Sequence, residues 1–113
     1  MQWLHKQDST LIQNVDNAGL TVMHQAAQRG DLDIMQWLFE QDPTLIQKAD
    51  RDGWSAMHFT ALHGRINAMR WLHEKDPKLI ISKTNLDVTP LKIARGENKI
   101  KLIEWMRSVG VVE

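Results

Sequence analysis

Hydrophobic residues recur at helical spacing in two neighbouring segments, 22–28 and 32–41. Thr21 is a suitable cap for the first segment, and Gly30 can end it in a left-handed conformation. A second helix is predicted to start near Asp31. It ends at Asp42-Pro43, because the residue before a proline avoids the α region. The pattern predicts a helix, a turn and a second helix, followed by residues 44–46 in an extended path.

The same pattern returns every 34 residues without a gap. The clearest columns are Trp3, Trp37, Trp71 and Trp105; Leu11, Leu45 and Leu79; Met23, Met57 and Leu91; and Gly30 and Gly64. One such unit cannot bury its apolar faces alone, but a stack of units can. We therefore predict one all-α domain, a helical solenoid of about three and a half helix–turn–helix repeats with short β-turn tips. Its predicted parts are a partial repeat (1–15), two repeats (16–49 and 50–83) and a C-terminal capping repeat (84–113).

Three segments at this spacing resemble the T-P-L-H-x-A-A signature of ankyrin repeats. They read TVMHQAA at 21–27, SAMHFTA at 55–61 and TPLKIA at 89–94. The resemblance implies that His24 and His58 bond backbone groups and brace neighbouring loops. It also implies that residues 16–19 and 50–53 form β-turns. The unit is one residue longer than the usual 33, because Asp-Pro-x-Leu-Ile replaces Gly-Ala-Asp-Val-Asn, which leaves the path of that loop open.

The two ends depart from the repeat. Met1 falls in the column of Met35, so the chain starts inside a second helix, which indicates a fragment of a longer array or an atypical cap. Asn98 stands in the column of Gly30 and Gly64, and Asn is the next-best residue for a left-handed cap. Basic residues make the last repeat polar, as a capping repeat must be: Lys92, Arg95, Lys99 and Lys101.

Two groups of residues invite a functional reading but fit the scaffold better. The tryptophan column could be a platform for stacking bases, yet its place on the inward side of each second helix predicts a buried or half-buried ladder between repeats. The histidines could bind a metal, but no Cys and no H-E-x-x-H pattern accompanies them. We therefore predict no metal and no cofactor.

Composition excludes several functional classes. The chain carries 14 basic and 14 acidic residues, and this zero net charge argues against a dedicated nucleic-acid binder. No apolar run is long enough to span a membrane, and no secretory signal opens the chain. The absence of Cys favours a reducing, cytoplasmic location, or the interior of a host cell for an effector. No nucleophile elbow or phosphate-binding glycine loop is present, so we predict that the chain is not an enzyme.

Charge is distributed unevenly along the chain. Residues 1–56 contain four basic and eight acidic residues, a balance of −4, and residues 57–113 contain ten and six, a balance of +4. Such a dipole can steer association. A monomer is expected, although the acidic end of one copy could meet the basic end of another and form open filaments.

Positions that vary within a fixed frame are candidates for recognition. The resemblance implies that the turn tips and the exposed side of each first helix line one concave surface. Trp54 is the fifth tryptophan and the only one outside the ladder, in a column with Leu20 and Val88. The candidate partner-binding residues are Leu20, Arg29, Arg51, Asp52, Trp54, Phe59, Leu62, His63, Leu86 and Val88.

Two of these residues have an alternative structural role, since Trp54 could simply cover the adjoining turn and Phe59 could fill the gap between first helices. The preferred function is binding of another protein through the concave surface, without catalysis. One alternative is a scaffold or regulatory fragment of a larger protein. Another is binding of an acidic partner, a lipid or a nucleic acid through the basic C-terminal repeat.

Overall fold

The structure, a computed structural model, describes residues 19–111 as three stacked helical hairpins. The regular elements in this range are six α-helices and two short 3₁₀ helices, with no strand, which confirms the all-α prediction. The partial repeat 1–15, the tip residues 16–18 and Trp3 lie outside the described residues. The first helices are α1 (Val22–Arg29), α3 (Ala56–His63) and α5 (Pro90–Gly96), and the second helices are α2 (Leu32–Gln41), α4 (Ile66–Lys75) and α6 (Ile100–Ser108).

Local capping chemistry sets the helix ends. The Thr21 hydroxyl accepts a hydrogen bond from the backbone N–H of His24 at 3.3 Å, which satisfies a donor that α1 leaves free. Gly30 ends that helix with φ at 69° and donates its N–H to the last turn. Asn98 adopts the same left-handed conformation, with φ at 58°, as the sequence predicted.

The segments after α2 and α4 are not extended, so the prediction of an extended path was wrong. Residues Pro43–Gln47 and Pro77–Ile81 form the short 3₁₀ helices. The Asp42 carboxylate accepts hydrogen bonds from the backbone N–H of Thr44 at 3.1 Å and from its hydroxyl at 2.6 Å. Proline at the first position has its φ preset for a helical turn and needs no donor there. The turn buries Leu45 and Ile46 between the repeats.

Two layers of helices form the stack, which measures 43 × 25 × 20 Å. In the inner layer α1 packs on α3, and α3 packs on α5. Alanines in these helices are fully buried, and their small side chains allow the backbones to approach closely: Ala27, Ala61 and Ala94. The outer layer of second helices is spaced by larger apolar side chains instead.

The tryptophan ladder lies in that outer layer. Trp71 is buried, and Trp37 and Trp105 are half-buried, as predicted for this column. Each of two indoles meets an aromatic ring of the preceding repeat edge-on. Phe39 faces Trp71 at 5.6 Å between ring centroids, and His73 faces Trp105 at 5.5 Å. These contacts hold successive repeats together, since a solenoid is stabilised chiefly by interfaces between neighbours.

Candidate functional site: the turn tips and first helices

Each described turn tip is closed by hydrogen bonds within its own five residues. In the tip 50–54, one carboxylate oxygen of Asp50 accepts from the N–H groups of Asp52 and Trp54, both at 2.9 Å. In the tip 84–88 the Thr84 hydroxyl takes that role and accepts from Leu86 and Val88 at 3.2 Å. A short polar side chain at the first position therefore fixes the path of both turns.

Hydrogen bonds also join the two tips to each other. The N–H of Asn85 donates to the carbonyl of Asp52 at 2.9 Å, and the Asn85 side-chain amide donates to the carbonyl of Arg51 at 2.7 Å. The tips are thus locked side by side rather than projecting as independent loops. Side chains carried by this row have a fixed spacing, which lowers the entropy lost when a ligand binds.

An apolar column runs along the row of tips. Leu20, Trp54 and Val88 occupy the same position in successive repeats, and all three are half-buried. The Trp54 indole packs against His58 and Phe59, with ring centroids 5.9 and 5.2 Å away. Leu86, next to this column, is 85 % exposed. The tips therefore present a rigid surface with an apolar stripe and one projecting aliphatic side chain.

Phe59 does not belong to the exposed surface. It is 8 % exposed, and its ring lies between Trp54 and the His24 ring, whose centroid is 5.5 Å away. The reason is its position on the side of α3 that packs against α1, where an apolar ring fills the space between first helices. The expectation that Phe59 lines the exposed side of its helix is corrected. Phe59 is buried and packs against the Trp54 indole.

The remaining predicted residues lie in two places. Arg51 and Asp52 are exposed on the tip 50–54. Arg29 and His63 are exposed at the far ends of α1 and α3, with Leu62 half-buried beside His63. At 1.5 Å of rise per residue, an eight-residue helix is about 12 Å long, so the two places lie at least about that far apart. The structure therefore brings the tip residues together and sets the helix-end residues at the opposite border of the surface.

The two signature histidines brace the tips and loops, as the resemblance implied. His24 Nε2 lies 2.8 Å from the carbonyl of Lys48, while its Nδ1 accepts the N–H of Thr21 at 2.8 Å. His58 repeats the arrangement: Nδ1 accepts from Ser55 N–H at 3.0 Å. Its Nε2 donates to the carbonyls of Ser82 and Val88, each at 3.1 Å.

The environment of His58 disfavours its charged form. Complete burial of the ring lowers the His58 pKa below its ordinary value, against a smaller raising effect of the Ser82 and Val88 carbonyls and of Asp50. The geometry acts in the same direction, because a proton on Nδ1 would face the N–H of Ser55. His58 is therefore a neutral structural residue, and its burial makes it unsuitable as a surface ligand.

Sequence reasoning missed several exposed residues. Ile81 and Ile100 are 62 % and 58 % exposed, and Arg65 is exposed at the start of α4. For two of these residues, the alignment of the repeats did indicate a difference. Ile81 aligns with Gln47, whose amide donates to Asp76 of the following repeat, and Arg65 aligns with the capping residue Asp31. At both positions the residue differs in chemical type from the aligned residue of the preceding repeat.

Three shallow hollows of about 170–260 Å³ lie within residues 19–111. Two of them lie between successive repeats, and the third lies between α1 and α2 of the first described repeat. Within this range no three side chains of metal-binding type come together. None of its helices is long and apolar enough to cross a membrane.

Two family models match the chain, and together they cover residues 1–111. A model described as ankyrin repeats (3 copies) matches residues 23–111, and a second, ankyrin repeats (many copies), matches residues 1–39. The chain belongs to the ankyrin repeat family. Ankyrin repeats are generally non-catalytic protein-interaction modules, which supports a binding role for this one.

A solved structure gives the same fold at low sequence identity. A chain in the crystal structure of the yeast ribosomal protein Rps3 in complex with its chaperone Yar1 is similar, with a TM-score of 0.84 and 15 % identity. The alignment covers 99 % of this chain and 83 % of that one. Comparison with curated proteins gives no matching relative. The likeness shows the fold alone and leaves the partner of this ankyrin array to be argued from its surface.

Proposed function

We propose that this ankyrin array binds one protein partner through a recognition face made of the turn tips and the exposed ends of the first helices. The recognition face consists of Leu20, Arg29, Arg51, Asp52, Trp54, Leu62, His63, Leu86 and Val88. Phe59 is left out of this set because it is buried.

The observation that carries the proposal is Leu86. Its side chain is 85 % exposed, yet its backbone N–H is held by Thr84 and the neighbouring residue Asn85 is bonded to the tip 50–54. Exposure of an aliphatic side chain to water is unfavourable, so burying it in a partner is favoured. Because its backbone is already fixed, little conformational entropy is lost when the partner binds. It fits the role of an anchor that enters a pocket on the partner.

Trp54 supplies the second element of the face. It is half-buried, so part of the indole stays accessible while the rest packs on His58 and Phe59. Tryptophans held in this way are enriched among residues that contribute most to binding. Arg51 and Asp52 beside it place both charge signs at the border of the apolar column, where they favour a partner with complementary charges.

The proposal is tested by matched substitutions of two exposed aliphatic residues. Leu86→Gln removes the anchor on the recognition face. Ile81→Gln makes the same change at an exposed aliphatic residue outside the recognition face, in the 3₁₀ turn after α4. Binding partners are enriched on immobilised wild-type chain, identified by mass spectrometry, purified, and titrated against each variant by biolayer interferometry. Circular dichroism and thermal melting establish that both variants fold alike.

We expect Leu86→Gln to weaken binding of the purified partner by about tenfold or more, the scale of a buried interface residue. Trp54→Leu, which gives residue 54 the same residue type as the aligned Leu20, should also weaken binding of the partner while keeping the column apolar. Ile81→Gln should leave affinity unchanged. Retention of affinity with Leu86→Gln, or an equal loss with Ile81→Gln, would reject the recognition face as the binding surface.

A further inference from the structure

The edge opposite the turn tips, where each first helix joins its second helix, changes charge along the stack. At the residue that starts the second helix, the successive repeats carry Asp31, Arg65 and Lys99. Two residues later they carry Asp33, Asn67 and Lys101. These two columns thus change from acidic in the first hairpin to basic in the third.

Packing positions two of the cations on this edge, Arg65 and Lys99. The stem of Arg65 lies over Gly30, so closely that a Cβ there would be 2.8 Å from Arg65 Cδ, and its Nε donates to the carbonyl of Gln28 at 2.9 Å. Lys99 repeats the arrangement one hairpin later, with its Cδ 3.1 Å from a Cβ built on Gly64. Each positive group is therefore held over the glycine of the preceding repeat.

Two adjoining hollows lie between these cations. One, of about 260 Å³, is lined by Arg29 and Arg65, and the other, of about 250 Å³, by Lys99 and Lys101. The two share Gly64 and Ile66 as lining residues, so they form one trough along the edge. We call the four cations the basic edge: Arg29, Arg65, Lys99 and Lys101.

Asp31 and Glu97 lie on the same edge, but neither forms an ion pair with the four cations. Within residues 19–111 an ion pair joins Lys48 to Asp42, at 3.8 Å, and none joins a carboxylate to the four cations of the edge. No carboxylate lines either hollow. Neither α4 nor α6 has an acidic residue in its first turn, so the positive ends of their dipoles add to the same potential.

Apolar side chains line the trough together with the cations. Ile66 belongs to both hollows, and Ile100, which is 58 % exposed, lines the second. A polyphosphate backbone has no apolar group to place against them, and neither hollow is lined by an aromatic ring on which a base could stack. A peptide with interspersed acidic and aliphatic side chains satisfies both features.

We propose that the basic edge is a second binding surface, which shares only Arg29 with the recognition face, and that it takes an acidic protein segment in which Asp or Glu residues are interspersed with aliphatic ones. The carboxylates meet Arg29, Arg65, Lys99 and Lys101, and the aliphatic side chains enter the trough beside Ile66 and Ile100. The site depends on neither Trp54 nor Leu86.

The test uses a short fluorescein-labelled peptide of repeated Glu-Glu-Leu, titrated with the whole chain by fluorescence anisotropy at low and at physiological salt. The main variant is Lys99→Gln, Lys101→Gln, which keeps most of the Lys99 stem over Gly64. The matched control is Lys78→Gln, Lys83→Gln, which removes the same charge from two lysines outside the edge. Ile100→Ser tests the apolar part alone.

We expect saturable binding that weakens with salt, a loss of about tenfold in the main variant, and little change in the control. Peptides of repeated Gln-Gln-Leu or Glu-Glu-Ser should bind more weakly than Glu-Glu-Leu, and Ile100→Ser should remove the preference for leucine. No binding at low salt, or an equal loss in both lysine pairs, overturns the proposal. Tighter binding to single-stranded RNA, or to vesicles containing phosphatidylserine, overturns it in favour of those ligands.

Discussion

A Cβ built on Gly53 would lie 2.6 Å from the backbone nitrogen of Asn85 in the next turn tip. Gly53 has φ at 84°, and the N–H of Asn85 donates to the carbonyl of Asp52 at 2.9 Å. The hydrogen bond between the tips thus depends on the absence of a side chain at residue 53. This close approach makes the row of tips one rigid surface.

Gly53→Ala should therefore destabilise the array by about 1–3 kcal/mol, since it adds both a left-handed strain and a clash with backbone. Gly96→Ala is the matched control. Gly96 lies in the last turn of α5 without a positive φ, and a Cβ added there would meet no atom within 4 Å. It should stabilise by about 0.5–1 kcal/mol through helix propensity. Urea unfolding measures both, and a neutral Gly53→Ala would show that the tips are not tightly joined.

Stability should fall as the pH drops, because of His58. Its pKa is lowered in the folded chain by burial, so the unfolded chain takes up the proton first. The contribution is complete above the unfolded value of about 6.5, declines as the pH falls below it, and levels off once the pH is under the lowered folded pKa. The midpoint of urea unfolding should drop between neutral pH and pH of about 5.5.

The variant His58→Gln identifies the source of that dependence. It should be less stable than wild type at neutral pH and show a shallower fall toward acid. His63→Gln serves as the control, because His63 is exposed on the same helix. Equal slopes for wild type and His58→Gln would assign the pH dependence to other groups.

The 3₁₀ turn after α2 should depend on the Asp42 carboxylate. It accepts two hydrogen bonds from Thr44, which lower the Asp42 pKa, and it orients the turn that buries Leu45 and Ile46. Asp42→Ala should cost about 1 kcal/mol, as for the loss of a helix cap. Glu40→Ala, at an exposed acid on the same helix, should cost much less in the same unfolding assay. Equal effects would mean that the turn keeps its shape without the cap.

The helix boundaries can be read from the sequence because their determinants are local. Thr21, Gly30 and Asp31 each act within four residues, so the predicted bounds of α1 agree to within one residue and those of α2 agree fully. The column spacing similarly identifies the buried ladder, and the resemblance to the ankyrin signature implies the bracing histidines. Asp42-Pro43, by contrast, indicates only that the helix ends, because proline is compatible with both an extended path and a 3₁₀ turn.

The candidate site was less predictable because exposure depends on packing between repeats. Phe59 and Leu62 lie on one helix, but the first is buried against His24 and the second is half-buried. A single sequence shows which position of the repeat a residue occupies. It does not show which side chain of the neighbouring repeat covers that residue. The basic edge was predicted only in part for a related reason. The sequence places Lys99 and Lys101 in a basic C-terminal repeat, but Arg29 and Arg65 come onto one edge with them only when the repeats stack.

The Trp71–Phe39 contact gives a quantitative test of the ladder between repeats. The rings meet at 84° with centroids 5.6 Å apart, and the Lys75 ammonium lies 5.5 Å from the Phe39 centroid. Trp71→Leu, Phe39→Leu and the double variant form a cycle in which the shared contact appears as a coupling free energy. An edge-to-face pair predicts a coupling of about 0.5–1.5 kcal/mol, beyond the loss of buried area.

A cycle between Phe39 and Trp105 provides the control, because these residues belong to the first and third described repeats. The changes in the free energy of unfolding caused by the two substitutions should add within about 0.5 kcal/mol if stabilising contacts join only neighbouring repeats. Coupling in the first cycle together with additivity in the second would show that each indole stabilises its own interface. Additivity in both would mean that Trp71 contributes through burial alone, and that the ring geometry adds nothing to the cohesion of the stack.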